Sequence, residues 1–274
     1  MFDLLEWLTG PRPLITPEEE GWQFSCFEWL MRGTGGFGRF RHAVVVLPTD
    51  TFFPQKGQRS PALQEALFAQ IKAHAGMGEW ACTLAMQEAD PSMYLTPRIS
   101  VQGSLGTEAG TFRRSGSQAL ISYNPSLLAD PMAFVATMAH ELAHFVVSEI
   151  AEEPPGGAEN LEFATDMAAI FLGFGVFLVN SSFRFWQSGN SIASRRLGYL
   201  SEEQRIFALA MFTQLLGQDP APISRGIHSQ FRRMYRRGLR DVEKSERIQD
   251  LRLITPVDAS SRDIPAPLGI ANGF

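Results

Sequence analysis

The sequence predicts an α+β fold, with N-terminal helices on a mixed or antiparallel sheet followed by a mainly helical C-terminal half. Three observations carry this. Up to about residue 124, strand-like runs at 42–47, 80–87, 98–103, 111–114 and 118–123 are short, roughly period-two and separated by turn residues. From Asp130 onward only helical periodicity remains, in long segments with recognisable caps. Hydrophobic residues make up 45% of the 274, and phenylalanine alone supplies 21, so one large core can be filled.

Each element has its own signal. Thr16-Pro17 followed by Glu18–Glu20 starts a helix that runs to Gly33 and turns Trp22, Cys26, Trp29 and Leu30 inward. Residues 33–38, GTGGFG, match GxGxxG, but a dinucleotide fingerprint needs a strand before it and a helix after it. This stretch follows a helix and leads into HAVVVL (42–47), so it reads as a turn before a buried strand. Ser60-Pro61 opens a second helix to about Ala75. Asp130-Pro131 is an N-cap and N1 pair for a helix to about Ile150, and AEEPPGG (151–157) is a sharp loop before a helix over about Ala158–Val179. The capping box SEEQ begins another helix at Ser201, stopping at Gly217. In a last amphipathic helix, about Ile223–Val242, the segment FRRMYRRGLR sets its arginines opposite Ile227, Phe231 and Met234, as a solvated face would. Residues 246–274 read as an extended tail. The expectation is a single domain with a sheet-bearing lobe (1–153) and a helical lobe (158–245).

Composition excludes several classes. A formal charge of −5 argues against nucleic acid as partner. Two cysteines, Cys26 and Cys82, are too few for a disulfide framework. The N-terminus lacks the basic start of a signal peptide, and the longest apolar run, Met167–Val179, falls short of the ~20 residues of a membrane span. The expectation is a cytoplasmic chain without a membrane span.

Chemistry concentrates in HELAH. On a helix, His140 and His144 are four apart and project from one face, so both imidazoles reach one metal ion; Glu141 stands beside them, where a base is needed. The metzincin extension is absent, since Val147 and Ile150 occupy its positions, and Ala143 excludes the deformylase-type HExDH. The next helix opens ENLEFATD, with Glu159, Glu162 and Asp166 at spacings of three and four. Its apolar surroundings make uncompensated carboxylates costly, and no lysine or arginine occurs between Ser115 and Phe183. A divalent cation is the simplest counter-charge.

HExxH, a loop, and a helix bearing a glutamate with an aspartate four residues on resemble the gluzincin clan of zinc metallopeptidases, which includes thermolysin-like enzymes and prenyl-protein proteases. The likeness is close over about Asp130–Asp166 and loose over the order of sheet, then helices. It implies a zincin-like fold, Zn2+ held by His140, His144 and Glu162, Asp166 orienting a ligand histidine, Glu141 as general base, and a peptide or protein substrate. Glu159 is the competing third ligand, or a first-turn acid favoured by the helix dipole. For the oxyanion, Tyr199 and His228 are the candidates, with Arg195, Arg196 and Arg225 behind them. Residues 122–124, Ser-Tyr-Asn, are expected to line a cleft. A catalytically silent zinc-binding module and a non-peptidase metal amidase are the other classes this pattern admits.

Overall fold

The computed structural model describes residues 12–55, 60–87, 110–115, 118–187 and 199–257, which form an α+β fold. Helix α1 (Pro17–Gly33) begins in a capping box: Thr16 Oγ1 accepts from the Glu19 amide and the Glu19 carboxylate accepts from the Thr16 amide. Its inward face carries Phe24, Cys26, Phe27, Trp29 and Leu30, all buried. The glycine-rich stretch turns as expected but then coils at once into a short helix, α2 (Gly36–Phe40).

HAVVVL is not a strand. Residues 43–47 run without a ladder, although Ala43, Val45 and Val46 are buried. Its backbone finds other partners: Gln218 Nε2 donates to Ala43 O, Val45 N donates to Gln218 Oε1, and Val46 N donates to Gly173 O at 2.9 Å. A buried apolar run has the same pattern whether a sheet or side chains satisfy its amides, so periodicity could not separate the two.

Helix α3 (Pro61–His74), capped by Ser60, precedes a three-stranded mixed sheet. Strands β1 (Cys82–Met86), β2 (Gly110–Ser115) and β3 (Gln118–Tyr123) lie in the order β1-β3-β2, with β1 parallel and β2 antiparallel to the central β3. The strand expected at 98–103 lies outside the described residues. The sheet packs on α4 (Pro131–Glu149), which Asp130 caps by accepting from the Met132 and Ala133 amides.

The loop after α4 is pinned by tryptophan: Trp29 Nε1 donates to Glu152 O (3.0 Å) and Trp22 Nε1 to Pro155 O (2.8 Å). A 3-10 turn (Ala158–Asn160) leads into α5 (Leu161–Ala169), a π-helical segment (Ile170–Phe174) and α6 (Gly175–Gln187). The single helix expected here is kinked because Gly173 has φ 100°, and a methyl group there would stand 2.4 Å from Val44 O. By length and composition the stretch Ala158–Ser181 would suffice to cross a membrane, but 89% of its apolar window is buried inside the fold. Phe27, Phe40, Phe171 and Phe212 interlock around it, Phe40 and Phe171 stacking at 4.6 Å.

Helix α7 (Glu202–Leu216) starts at the predicted capping box and ends at Gly217. The amphipathic helix beyond it is broken in three: α8 (Pro220–Gly226), a 3-10 turn (Ser229–Phe231) and α9 (Arg232–Glu243). The break falls where Asn180 Nδ2 donates to Gly226 O and Asn180 Oδ1 accepts from the His228 amide. α9 buries Tyr235, Gly238 and Val242 and leaves Arg232, Arg233, Arg236 and Arg240 exposed. The expected tail contains a further helix, α10 (Arg247–Leu251), whose Arg247 donates to Gly21 O. One continuous hydrophobic core runs through both expected lobes.

Candidate metal centre

Two antiparallel helices joined by the tryptophan-pinned loop build the site. α4 supplies His140, Glu141 and His144, and the first turns of α5 supply Glu162, Thr165 and Asp166. Glu162 Oε2 lies 3.3 Å from His140 Nε2 and 3.5 Å from His144 Nε2. One ligand atom from each of the three residues lies within 4.8 Å of the others. A tetrahedral zinc ion with bonds of ~2.0–2.1 Å sets its nitrogen and oxygen ligands about 3.3 Å apart, so the two measured edges fit such an ion. His140 Nε2 is buried at the point where the three converge, its nearest acceptor the Glu162 carboxylate at 3.3 Å.

Both imidazoles are oriented from behind. His140 Nδ1 donates to Asp166 Oδ1 at 3.0 Å. Thr165 spends its hydroxyl proton on Leu161 O, at 2.8 Å, leaving its oxygen to accept from His144 Nδ1 at 3.3 Å. With Nδ1 of each ring engaged this way, Nε2 is the nitrogen that each ring turns toward Glu162 and could offer to a metal. Phe112 of β2 stacks on His144, with 6.2 Å between ring centroids.

The electrostatics follow from burial. Burial alone would lower the His140 imidazole, but Asp166 and Glu162 in contact, with Glu141 nearby, outweigh it and raise its pKa to about 10. Burial would raise Glu162, yet the two histidines bring it down to about 2. Asp166 also falls to about 2 against its burial, through Arg205 first and then His140. Arg205 corrects the expectation that no base reaches these carboxylates: its Nε and Nη2 donate to Asp166 Oδ2 at 3.2 and 2.9 Å. It comes from α7, well beyond the stretch free of cations.

The other expected residues divide. Glu141 is buried against the start of β2, where a methyl group on Gly110 would stand 3.0 Å from its Oε1. Glu159 is exposed on the 3-10 turn and is not in the ligand group, whereas Glu162 is. Tyr199 lies beside the site, its ring centroid 5.4 Å from that of His140. His228 is exposed in the connection between α8 and α9, its ring stacked on Phe231, and does not join the ligand group; Arg225 is likewise exposed. Arg195 and Arg196 lie outside the described residues. At 122–124, on the central strand of the sheet among the described residues, Tyr123 is buried against Phe134, Ser122 bonds Thr111 and Gln87, and Asn124 caps a 3-10 turn (Pro125–Ala129). The strand beside Glu141 is β2. A cleft of about 380 Å³ lies elsewhere, between α3 and β1, lined by Glu65, Lys72 and Cys82 among others.

Sequence reasoning missed Thr165, Arg205 and Gly110. A signal existed for the first two: Thr165 adjoins Asp166, and Arg205 is a charge in the otherwise apolar stretch RIFALAMF. Comparison of the chain with protein-family models, curated proteins and solved structures finds no match, so the function is argued from these residues.

Proposed function

We propose that the protein is a zinc-dependent hydrolase of amide bonds, most simply a peptidase, on a zincin-like fold of the gluzincin kind. The observation that carries this reading is the convergence of His140 Nε2, His144 Nε2 and Glu162 Oε2, with a carboxylate that is not a ligand, Glu141, on the next residue of the helix. Zinc bound there would supply a Lewis acid, bringing the pKa of water to about 7 and polarising a carbonyl oxygen. His140, His144 and Glu162 would hold the ion, while Asp166 and Thr165 would keep the imidazoles in the required tautomer. Glu141 takes a proton from the attacking water and returns it to the leaving amine. Tyr199, whose ring lies beside His140, is our candidate donor to the developing oxyanion.

The test is Glu141→Gln. Metal analysis of wild type and variant should each give about one zinc per chain, as three protein ligands imply. Hydrolysis of a quenched-fluorescent peptide library should fall by about 10²–10⁴-fold in the variant. Full activity in Glu141→Gln would remove the base, and an absence of bound metal in wild type would remove the reading.

A further inference from the structure

Asp166 serves more than His140. Its Oδ1 accepts from His140 Nδ1, and its Oδ2 accepts from Arg205 Nε and Nη2 and, at 3.1 Å, from the Leu200 amide. Four donors from three parts of the chain therefore meet on one carboxylate that is 2% exposed. The third part is the segment that enters α7. It carries Tyr199, whose ring lies against His140, and Leu200, whose side chain is buried. The start of α7 is fixed from outside the site: Gln204 closes the capping box with Ser201 and donates to Glu19, while Gln23 donates to Gln204 O. Arg205 thus reaches Asp166 from an anchored turn.

We propose that Asp166 is a junction through which metal loading at His140 and seating of the Tyr199–Arg205 segment become one event, with Arg205 as its positioning residue. The proposal rests on the metal reading above. An ion on His140 Nε2 makes the Nδ1 proton a stronger donor, so Asp166 is held more firmly in the orientation that also receives Leu200 and Arg205. Coupling between two binding events is reciprocal. Whatever Arg205 and Leu200 contribute to the Asp166 orientation therefore appears in zinc affinity, and zinc in turn protects the segment that presents Tyr199. The site gains its candidate oxyanion donor when it gains its metal.

Two measurements on the full chain test this. In wild type, hydrogen exchange with and without zinc should show the Leu200 amide slowed at least about tenfold more than the amides of α9, which contributes no residue to the ligand group. Zinc affinity, read by chelator competition, should fall by about 10–100-fold in Arg205→Met, the range typical of groups behind metal ligands. Arg205→Lys, which keeps the charge but not the two-point contact, should fall between. An arginine that only supports the fold would lower the melting temperature of both variants and leave the affinity of the folded protein unchanged. If folded Arg205→Met binds zinc within about threefold of wild type, the junction is wrong and the metal reading stands. If Arg205→Met does not fold, equal protection of Leu200 and the α9 amides overturns the junction by itself. A wild-type protein that takes up no zinc overturns the metal reading as well.

Discussion

Replacing Asp166 by asparagine isolates the electrostatics of the centre with almost no change of shape. Every group on this carboxylate is a donor: His140 Nδ1 on one oxygen, Arg205 and the Leu200 amide on the other. An asparagine has one oxygen to offer. If that oxygen faces Arg205 and Leu200, the amide NH2 faces His140 Nδ1, and the imidazole must move its proton to Nε2, the atom assigned to the metal. If the amide turns the other way, two donors of Arg205 face the NH2 group. In either orientation Arg205, buried at 6% exposure, loses its counter-charge.

Breaking a buried ion pair by removing one partner costs about 3–5 kcal/mol. For a chain of 274 residues an unfolding entropy of about 2.1 cal/mol/K per residue converts this into a melting temperature lower by about 5–9 °C. Zinc affinity should fall by about 10–100-fold through the wrong tautomer. The assays are thermal unfolding of the metal-free protein by circular dichroism and zinc titration against a chelating indicator. The double variant Asp166→Asn/Arg205→Met removes the stranded charge, so it should unfold at a higher temperature than the single variant. A melting temperature within about 1.5 °C of wild type together with unchanged zinc binding would refute the reasoning, because neither the buried charge nor the tautomer would then matter.

Three further outcomes are expected. Glu162→Ala should abolish stoichiometric zinc while Glu159→Ala retains it, as metal analysis of the two proteins will read; the reverse result moves the third ligand to Glu159. Gly110→Ala should lower turnover by about tenfold or more with zinc retained, because the added methyl stands 2.7 Å from Thr137 Cγ2 and 3.0 Å from the Glu141 carboxylate; unimpaired turnover would show that β2 does not position the base. The metal-free protein should melt highest between about pH 4.5 and 6.5. His140 rises from 6.5 to about 10 on folding, so its contribution is complete below 6.5 and is lost as the pH climbs toward 10. Glu162 and Asp166 fall from 4.5 and 3.8 to about 2, so theirs is complete above 4.5 and is lost as the pH drops toward 2. A melting temperature flat from pH 6.5 to 10 would show that no such proton is held.

Local chemistry made most of the fold legible. Helix starts with a side-chain cap and a proline, Thr16-Pro17, Ser60-Pro61 and Asp130-Pro131, fall where the sequence put them, because each signal is satisfied within four residues. What failed depended on partners distant in the chain. HAVVVL reads as a strand until Gln218 and Gly173 take its backbone groups, and nothing within 42–47 announces them. The helix expected over 223–242 breaks because Asn180, some 45 residues earlier, takes the amide and carbonyl that would continue it. The kink at Gly173 belongs with these, since a glycine in an apolar helix has no local meaning until Val44 O approaches it.

The centre divides in the same way, and the division changes the reason for placing a metal there. His140, Glu141 and His144 share one helix and were legible by spacing; the short loop brought the carboxylates of the next helix within reach, and the gluzincin resemblance singled out Glu162 and Asp166 among them. Cations are not missing from the centre, since Arg205 neutralises Asp166 from a helix that spacing could not connect to it. Neutralising Asp166 does not account for Glu162, whose carboxylate faces two imidazoles rather than a permanent cation. Without a metal the trio is held by a proton on His140, whose pKa the facing carboxylates of Asp166 and Glu162 raise to about 10. A divalent ion that displaces this proton would satisfy the same three atoms at neutral pH. The case for a metal therefore passes from a shortage of positive charge to the spacing of three ligand atoms, and zinc uptake with release of about one proton per chain at pH 8, measured by calorimetry in buffers of different ionisation enthalpy, separates the two arguments.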